Sequence, residues 1–227
     1  MKKLFLPLRI LFILSVILGG ISSNAVAEPH PHQGVLTEYH NEPSSFLLSD
    51  KEQQRLALFK PVYKKEIING KQRGVAIFRV KASITTIWAT IHQFSNYPKW
   101  IKRLKSAKVY EVSNNSAYVH FTATHWLLGK TQWYVKHNFP RLDQLNEKRW
   151  GAWVLDYRHQ SDFYDAVGFW QVKTIHDQPN VSEVIYSVDL QVKEGTPAFI
   201  QRASIKKRLK SATKWLKRES ELAQANL

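Results

Sequence analysis

Residues 196–223, TPAFIQRASIKKRLKSATKWLKRESELA, form the one long helical pattern in a chain otherwise written in strands. Ala198, Ile205, Leu209, Ala212, Leu216 and Ala223 recur at spacings of three, four or seven, which lines them up in one stripe of a 3.6-residue period. Lys206, Lys207, Lys210, Lys214, Lys217 and Arg218 fall on the other side. Thr196 suits the cap and Pro197 the first helical position, and nothing interrupts the pattern for about 25 residues, roughly 38 Å of helix. Each larger side chain buried along the stripe contributes about 1.5–3 kcal/mol, so such a helix needs a broad apolar partner. The upstream strands are expected to supply it.

Those strands begin with segments 62–68 and 71–80 around Asn69-Gly70, a strong hairpin signal. The period then switches: Ile84, Ile87, Trp88 and Ile91 mark a short helix behind Ser83, and Asn96-Tyr97-Pro98-Lys99-Trp100 ends it in a second short turn. From residue 105 the pattern reads as strands 106–112, 116–124, 130–139, 149–158, 167–175 and 181–192, with turns at Asn114-Asn115, Leu128-Gly129 and Gln178-Pro179-Asn180. Short connections imply an antiparallel meander. Alternation puts Ala117, Val119, Phe121 and Ala123, then Trp133, Val135, His137 and Phe139, then Val184, Tyr186, Val188, Leu190 and Val192 on a dry face. Tyr118, His120, Gln132, Tyr134, Lys136, Glu183, Ser187 and Asp189 fall on the opposite, wet face.

At the other end, Lys2, Lys3 and Arg9, an apolar run from 10 to 21 and Ala25-Val26-Ala27 read as an export signal. The competing reading is an uncleaved anchor, for which the run is short. Removing the first 27 of 227 residues would leave 200, enough for one domain with an ample core, and would lower the net charge from +15 to +12. That charge favours an anionic partner such as a phospholipid surface, and export argues against nucleic acid. The absence of cysteine excludes disulfides, thiolate chemistry and cysteine-rich zinc sites. Residues 28–48 show no period and read as a mobile linker, in which His30 and His32 are read as solvated rather than metal-ligating, since a metal site needs more ligands and a fixed geometry. Residues 49–73 form an extension with a short helix at 49–59, opened by a Ser49/Glu52 capping box with Leu56 on its apolar side, and then the hairpin. The main domain spans 74–224.

Strand, two small helices, a long meander and a terminal helix is an order that resembles a known superfamily. Segments 80–88 (VKASITTIW), 94–101 (FSNYPKWI), 106–110 (SAKVY), 168–170 (GFW), 183–189 (EVIYSVD) and 196–200 (TPAFI) are similar, in order and spacing, to START-like or SRPBCC proteins of the polyketide cyclase/dehydrase and lipid-transport type. The resemblance covers residues 74–222. It implies an α+β helix-grip fold, also called Bet v 1-like, in which a curved antiparallel sheet wraps the last helix around an apolar cavity. It implies no single chemistry, since the superfamily holds lipid carriers, hormone receptors, cyclases and dioxygenase subunits.

Trp88, Phe121, Trp133, Tyr186 and Leu209 are the candidate cavity lining, each equally readable as plain core, with His137 and Arg202 as polar exceptions. Arg202 sits at the stripe's edge between Ala198 and Ile205, either snorkelling to solvent or offering a cation to an anionic head group. His137 is a candidate acid or base. Tyr157, His159 and Asp162 lie near one turn and are a candidate polar cluster. No nucleophile elbow, phosphate-cradling loop or metal triad is present in the spacing, so no cofactor or metal is expected. The basic helix face is a solvated surface or a contact for an anionic bilayer. Three readings follow: an exported, periplasmic carrier of a lipid or isoprenoid, a cyclase-like enzyme using the same cavity, and an interaction protein with a solid core.

Overall fold

The computed structural model describes residues 29–31, 34–43, 45–68, 71–113, 115–125, 129–139, 148–192 and 198–227. Residues 1–27, read from the sequence as an export signal, His32, the Asn69-Gly70 turn and the side chain of Arg202 lie outside the described residues.

Helix α1 (Asp50–Ala57) opens with the capping box, Glu52 Oε2 accepting the Ser49 backbone N–H at 2.9 Å. Strands β1 (Val62–Ile68) and β2 (Lys71–Val80) pair as a hairpin. Helix α2 (Ile84–His92) starts where Ser83 Oγ accepts the Thr86 N–H, and a 3-10 turn (Phe94–Asn96) leads into α3 (Tyr97–Trp100). The meander follows as β3 (Leu104–Ser113), β4 (Ser116–His125), β5 (Gly129–Asn138), β6 (Lys148–Leu155), β7 (Phe163–Ile175) and β8 (Gln178–Val192). All pairings are antiparallel, and the eight strands run in the order β1-β2-β8-β7-β6-β5-β4-β3. Register shifts in β3 and β7 bend the sheet.

Helix α4 (Ala198–Ala225) lies on the inner face of this sheet against β2, β8 and α2. Leu209, Ala212, Trp215 and Leu216 are buried there. Gly74 lets the helix approach: an added Cβ would lie 2.6 Å from Ile205 Cγ2 and 2.9 Å from Leu209 Cδ1. The far end of α4 is pinned by hydrogen bonds, Gln224 Oε1 accepting from Ser83 N and Thr86 Oγ1 and Glu221 Oε1 from Lys81 N. This is the α+β helix-grip architecture expected from the sequence.

Three local expectations change. The strand expected over 149–158 stops at Leu155, because Asp156 turns the chain: its Oδ1 accepts the Arg158 N–H and its carbonyl the His159 N–H. The turn expected at 178–180 falls on His176 and Asp177, and β8 already begins at Gln178. The outer face is not wet across the central strands, where Glu183, Ser187 and Asp189 are buried.

What covers that face is the segment read as a mobile linker. Tyr39, Phe46 and Leu48 pack with Leu56, Val62, Val75, Ile77, Phe169 and Ile185 in a second apolar cluster on the outside of the sheet. Polar anchors hold the segment between them. Asp165, fully buried, accepts the Val35 and Leu36 N–H groups at 2.6 and 2.7 Å and the Tyr157 hydroxyl at 2.6 Å. The Tyr39 hydroxyl donates to Glu66, Gln171 Nε2 to Glu42, and an Arg73 guanidinium nitrogen to the Thr37 carbonyl. His30 is likewise not solvated but buried, its Nε2 2.8 Å from the Phe163 carbonyl.

Candidate functional site

The inner face of the sheet is lined by aromatic rings in unbroken sequence. Arg208 on α4 lies over the Phe163 ring at 4.9 Å, Phe163 meets Trp133 at 5.3 Å, and Trp133 stacks on Phe121 at 5.4 Å. Phe121 then reaches His137 at 6.4 Å, and His137 touches Phe94 at 4.7 Å and Phe139 at 6.1 Å. Beyond Phe139 lie His92, at 4.1 Å, and Trp88. Tyr186 stacks on Trp170 at 4.0 Å, and Trp170 meets Trp215 of α4. Gly168 makes space for Trp153, whose ring atoms would stand 2.3 Å from an added Cβ.

Two kinds of residue make up this lining. Tyr97 is sealed: 6% of its surface is exposed, burial drives its phenol far above the usual range, and its hydroxyl donates to the Ile91 carbonyl at 2.6 Å. Tyr186 is also deep enough that burial raises its phenol to about 12, with the Arg208 charge opposing. Yet Tyr186 keeps accessible surface, and its hydroxyl has no hydrogen-bond partner among the described residues. Arg208 behaves alike, partly accessible while desolvation lowers its guanidinium below the ordinary value. Both groups therefore stand at the edge of the packed interior, neither sealed in the core nor fully in solvent. Trp133, Trp153, Phe139 and Ile205 pack against the inner core and keep accessible surface too.

Of the residues singled out in the sequence, Phe121 and Trp133 stack on each other, Tyr186 packs against the same inner core through Trp170, and His137 and Trp88 lie along the ring series toward α2. Leu209 is buried at 4% exposure over Gly74 and serves as core. Arg208 escaped the sequence reading although it stands three residues after Ile205 and four before Ala212, within the inward stripe. His92 escaped as well, four residues after Trp88.

His137 sits where its charged form is disfavoured. Burial, with His92 nearby, lowers it to about 3, and burial with Arg149 lowers His92 to about 4. Both are neutral at pH 7, and neither exchanges a proton near it. Their Nε2 atoms are buried without a partner among the described residues. Tyr157, His159 and Asp162 do not form one cluster: Tyr157 bonds Asp165, His159 lies 3.9 Å from Asp156 and between Tyr110 and Tyr134, and Asp162 accepts the Gln132 N–H. No group of three or more metal-ligating side chains occurs among the described residues.

On the outer side of α4, Lys206, Lys207, Lys210, Lys214 and Arg218 are exposed. Lys217 is engaged instead, donating to the Phe59 carbonyl and lying 5.2 Å over its ring, and Arg218 pairs with Glu219.

No protein-family model matches the chain, and no curated protein matches it. Solved structures do. A STAR-related lipid transfer protein from Xanthomonas axonopodis superposes with a TM-score of 0.59 at 10% identity over 70% of this chain and 93% of that one. Human StAR-related lipid transfer protein 5 gives 0.55 at 6% identity over 71% and 81%. The Zhui aromatase/cyclase from a Streptomyces species gives 0.53 at 10% identity over 71% and 94%. The chain therefore has the START-like helix-grip fold.

Proposed function

We propose that this protein binds an apolar or amphipathic small molecule, of the lipid or isoprenoid class, in a hollow between the sheet and α4. The observation that carries this is the set of deep residues with free surface, above all Tyr186 and Arg208, joined to a lining of Trp133, Phe121 and Trp153. Such a lining, apolar with a few placed polar groups, is what ligand cavities are made of. Structures of the same fold named as lipid transfer proteins support the reading as analogy.

The export signal and the exposed lysines of α4 extend it to an exported, periplasmic carrier that takes up or delivers its ligand at an anionic membrane. The enzymatic reading, a cyclase-like enzyme using the same space, has its candidate acid or base, His137, where burial disfavours the charged form.

Organic extraction and native mass spectrometry of protein purified from its source compartment test the proposal. A stoichiometric lipid or isoprenoid adduct is the expected result. Protein that carries no adduct and takes up none from mixed lipid vesicles would overturn it.

A further inference from the structure

The charges buried on the outer face of the central strands come in opposite pairs: Arg73 with Asp189, and Arg79 and Lys173 with Glu183. Arg208 has no such partner. Among the described residues no carboxylate reaches it, and its neighbours are the Phe163 ring and Tyr186. Tyr186, on the same inner face and close enough to feel the Arg208 charge, adds a hydroxyl without a hydrogen-bond partner among the described residues. A cation held away from bulk water without a counter-charge is costly, and the cost is offset when an anion arrives.

The charge and shape of that anion follow from what is present. One guanidinium balances one negative charge, and its planar fork fits a carboxylate through two parallel hydrogen bonds. A phosphate monoester, with nearly two charges at neutral pH, would leave an unbalanced charge inside the protein. The rings that begin at Phe163 and continue through Trp133 and Phe121 toward His137 offer an apolar path for a chain attached to that carboxylate.

We propose that Arg208 and Tyr186 form the head-group subsite of the hollow and bind the carboxylate of a fatty-acid-like monocarboxylate, whose tail lies along the Phe163–Trp133–Phe121 rings. This rests on the ligand-binding reading above and names its ligand class.

The test is a set of titrations with laurate, dodecanol and dodecyl phosphate, on the wild-type chain and on Arg208→Gln and Arg208→Lys. Wild type is expected to bind laurate at least about tenfold more tightly than dodecanol, the usual advantage of a charge-assisted bond. Arg208→Gln should erase that preference, and Arg208→Lys should restore part of it. Equal binding of laurate and dodecanol by wild type, or a preference that survives Arg208→Gln, overturns the subsite and leaves the apolar ligand intact. Dodecyl phosphate binding more tightly than laurate overturns the carboxylate assignment. Binding of none of the three overturns this inference together with the reading beneath it.

Discussion

On the outer face of the sheet Arg73 has Asp189 at 3.7 Å and the Tyr39 ring at 4.8 Å, and the Asp165 carboxylate is filled by hydrogen bonds from Val35, Leu36, Tyr157 and its neighbour Ala166. On the inner face Arg208 has no anion among the described residues, Tyr186 has a free hydroxyl, and His137 and His92 each hold a buried nitrogen without a partner. The same strands carry both faces, so the backbone is not the cause. Both faces hold buried nitrogens without a hydrogen-bond partner among the described residues, Arg73 Nε and Nη1 and Arg79 Nε on the outer one, so the difference lies in charge: Arg73 and Arg79 have carboxylates nearby and Arg208 has none. Polar groups left open beside an apolar lining are the mark of a surface finished by a ligand.

The comparison breaks most readily at Asp165. Asp165→Ala removes the acceptor of the Val35 and Leu36 N–H groups and of the Tyr157 hydroxyl, and is expected to cost about 3 kcal/mol by urea denaturation. Limited proteolysis should then cut within 34–48 before the sheet, and a segment that stays protected would deny its dependence on this carboxylate.

Next comes a contrast between two inner-face glycines. An added Cβ at Gly168 would meet the Ser187 carbonyl oxygen and the Trp153 ring at 2.3 Å, neither of which can swing away, so Gly168→Ala should cost about 2 kcal/mol. At Gly74 the same atom meets only the movable ends of Ile205 and Leu209, and Gly74→Ala should cost about 1 kcal/mol or less. Equal melting points for the two variants would contradict the difference in rigidity.

The inner histidines predict an acid dependence. Their folded pKa values lie below the unfolded value of about 6.5, so the unfolded chain binds more protons once the pH falls beneath 6.5. Stability is therefore whole above that pH and is lost on acidification toward 4. Between pH 6.5 and 5.5 each histidine should contribute about 1 kcal/mol to the loss. His137→Phe should flatten its share of the slope in urea titrations across this range. An unchanged slope would mean that the imidazole is not buried neutral.

The smallest effect concerns the outer side of α4. Single Lys→Gln changes at Lys206, Lys207, Lys210 and Lys214 should each weaken binding to phosphatidylserine-containing vesicles a few-fold, about 0.5–1 kcal/mol, and salt should weaken it for all. Sedimentation with vesicles measures this, and indifference to both charge and salt would remove the membrane from the account.

Much of this architecture is legible in the residues because it rests on period. The stripe of α4, the alternation of β4, β5 and β8, and the Ser83 and Ser49 caps are local patterns that name their partners by spacing alone. The cover of the outer face is not local. Val35 and Leu36 meet Asp165, about 130 residues away, through main-chain N–H groups that no side-chain pattern announces. Around the hollow, Trp133, Phe121 and Tyr186 follow from strand alternation, but alternation cannot tell a ring that fills a core from one that borders a space. Arg208 was within reach of the helical period. A charged residue inside an apolar stripe is the sort of exception that marks a site, and Arg202 drew the attention that Arg208 warranted.

The central claim is that Trp133 and Trp153 face a space that an acyl chain enters. Quenching of intrinsic tryptophan fluorescence by dibrominated stearic acid tests it directly, because bromine quenches only rings it touches. The account predicts saturable quenching, most of it lost in the Trp133→Phe/Trp153→Phe double variant while that variant still binds unbrominated stearate. Absent quenching, or quenching unchanged in the double variant, would contradict it.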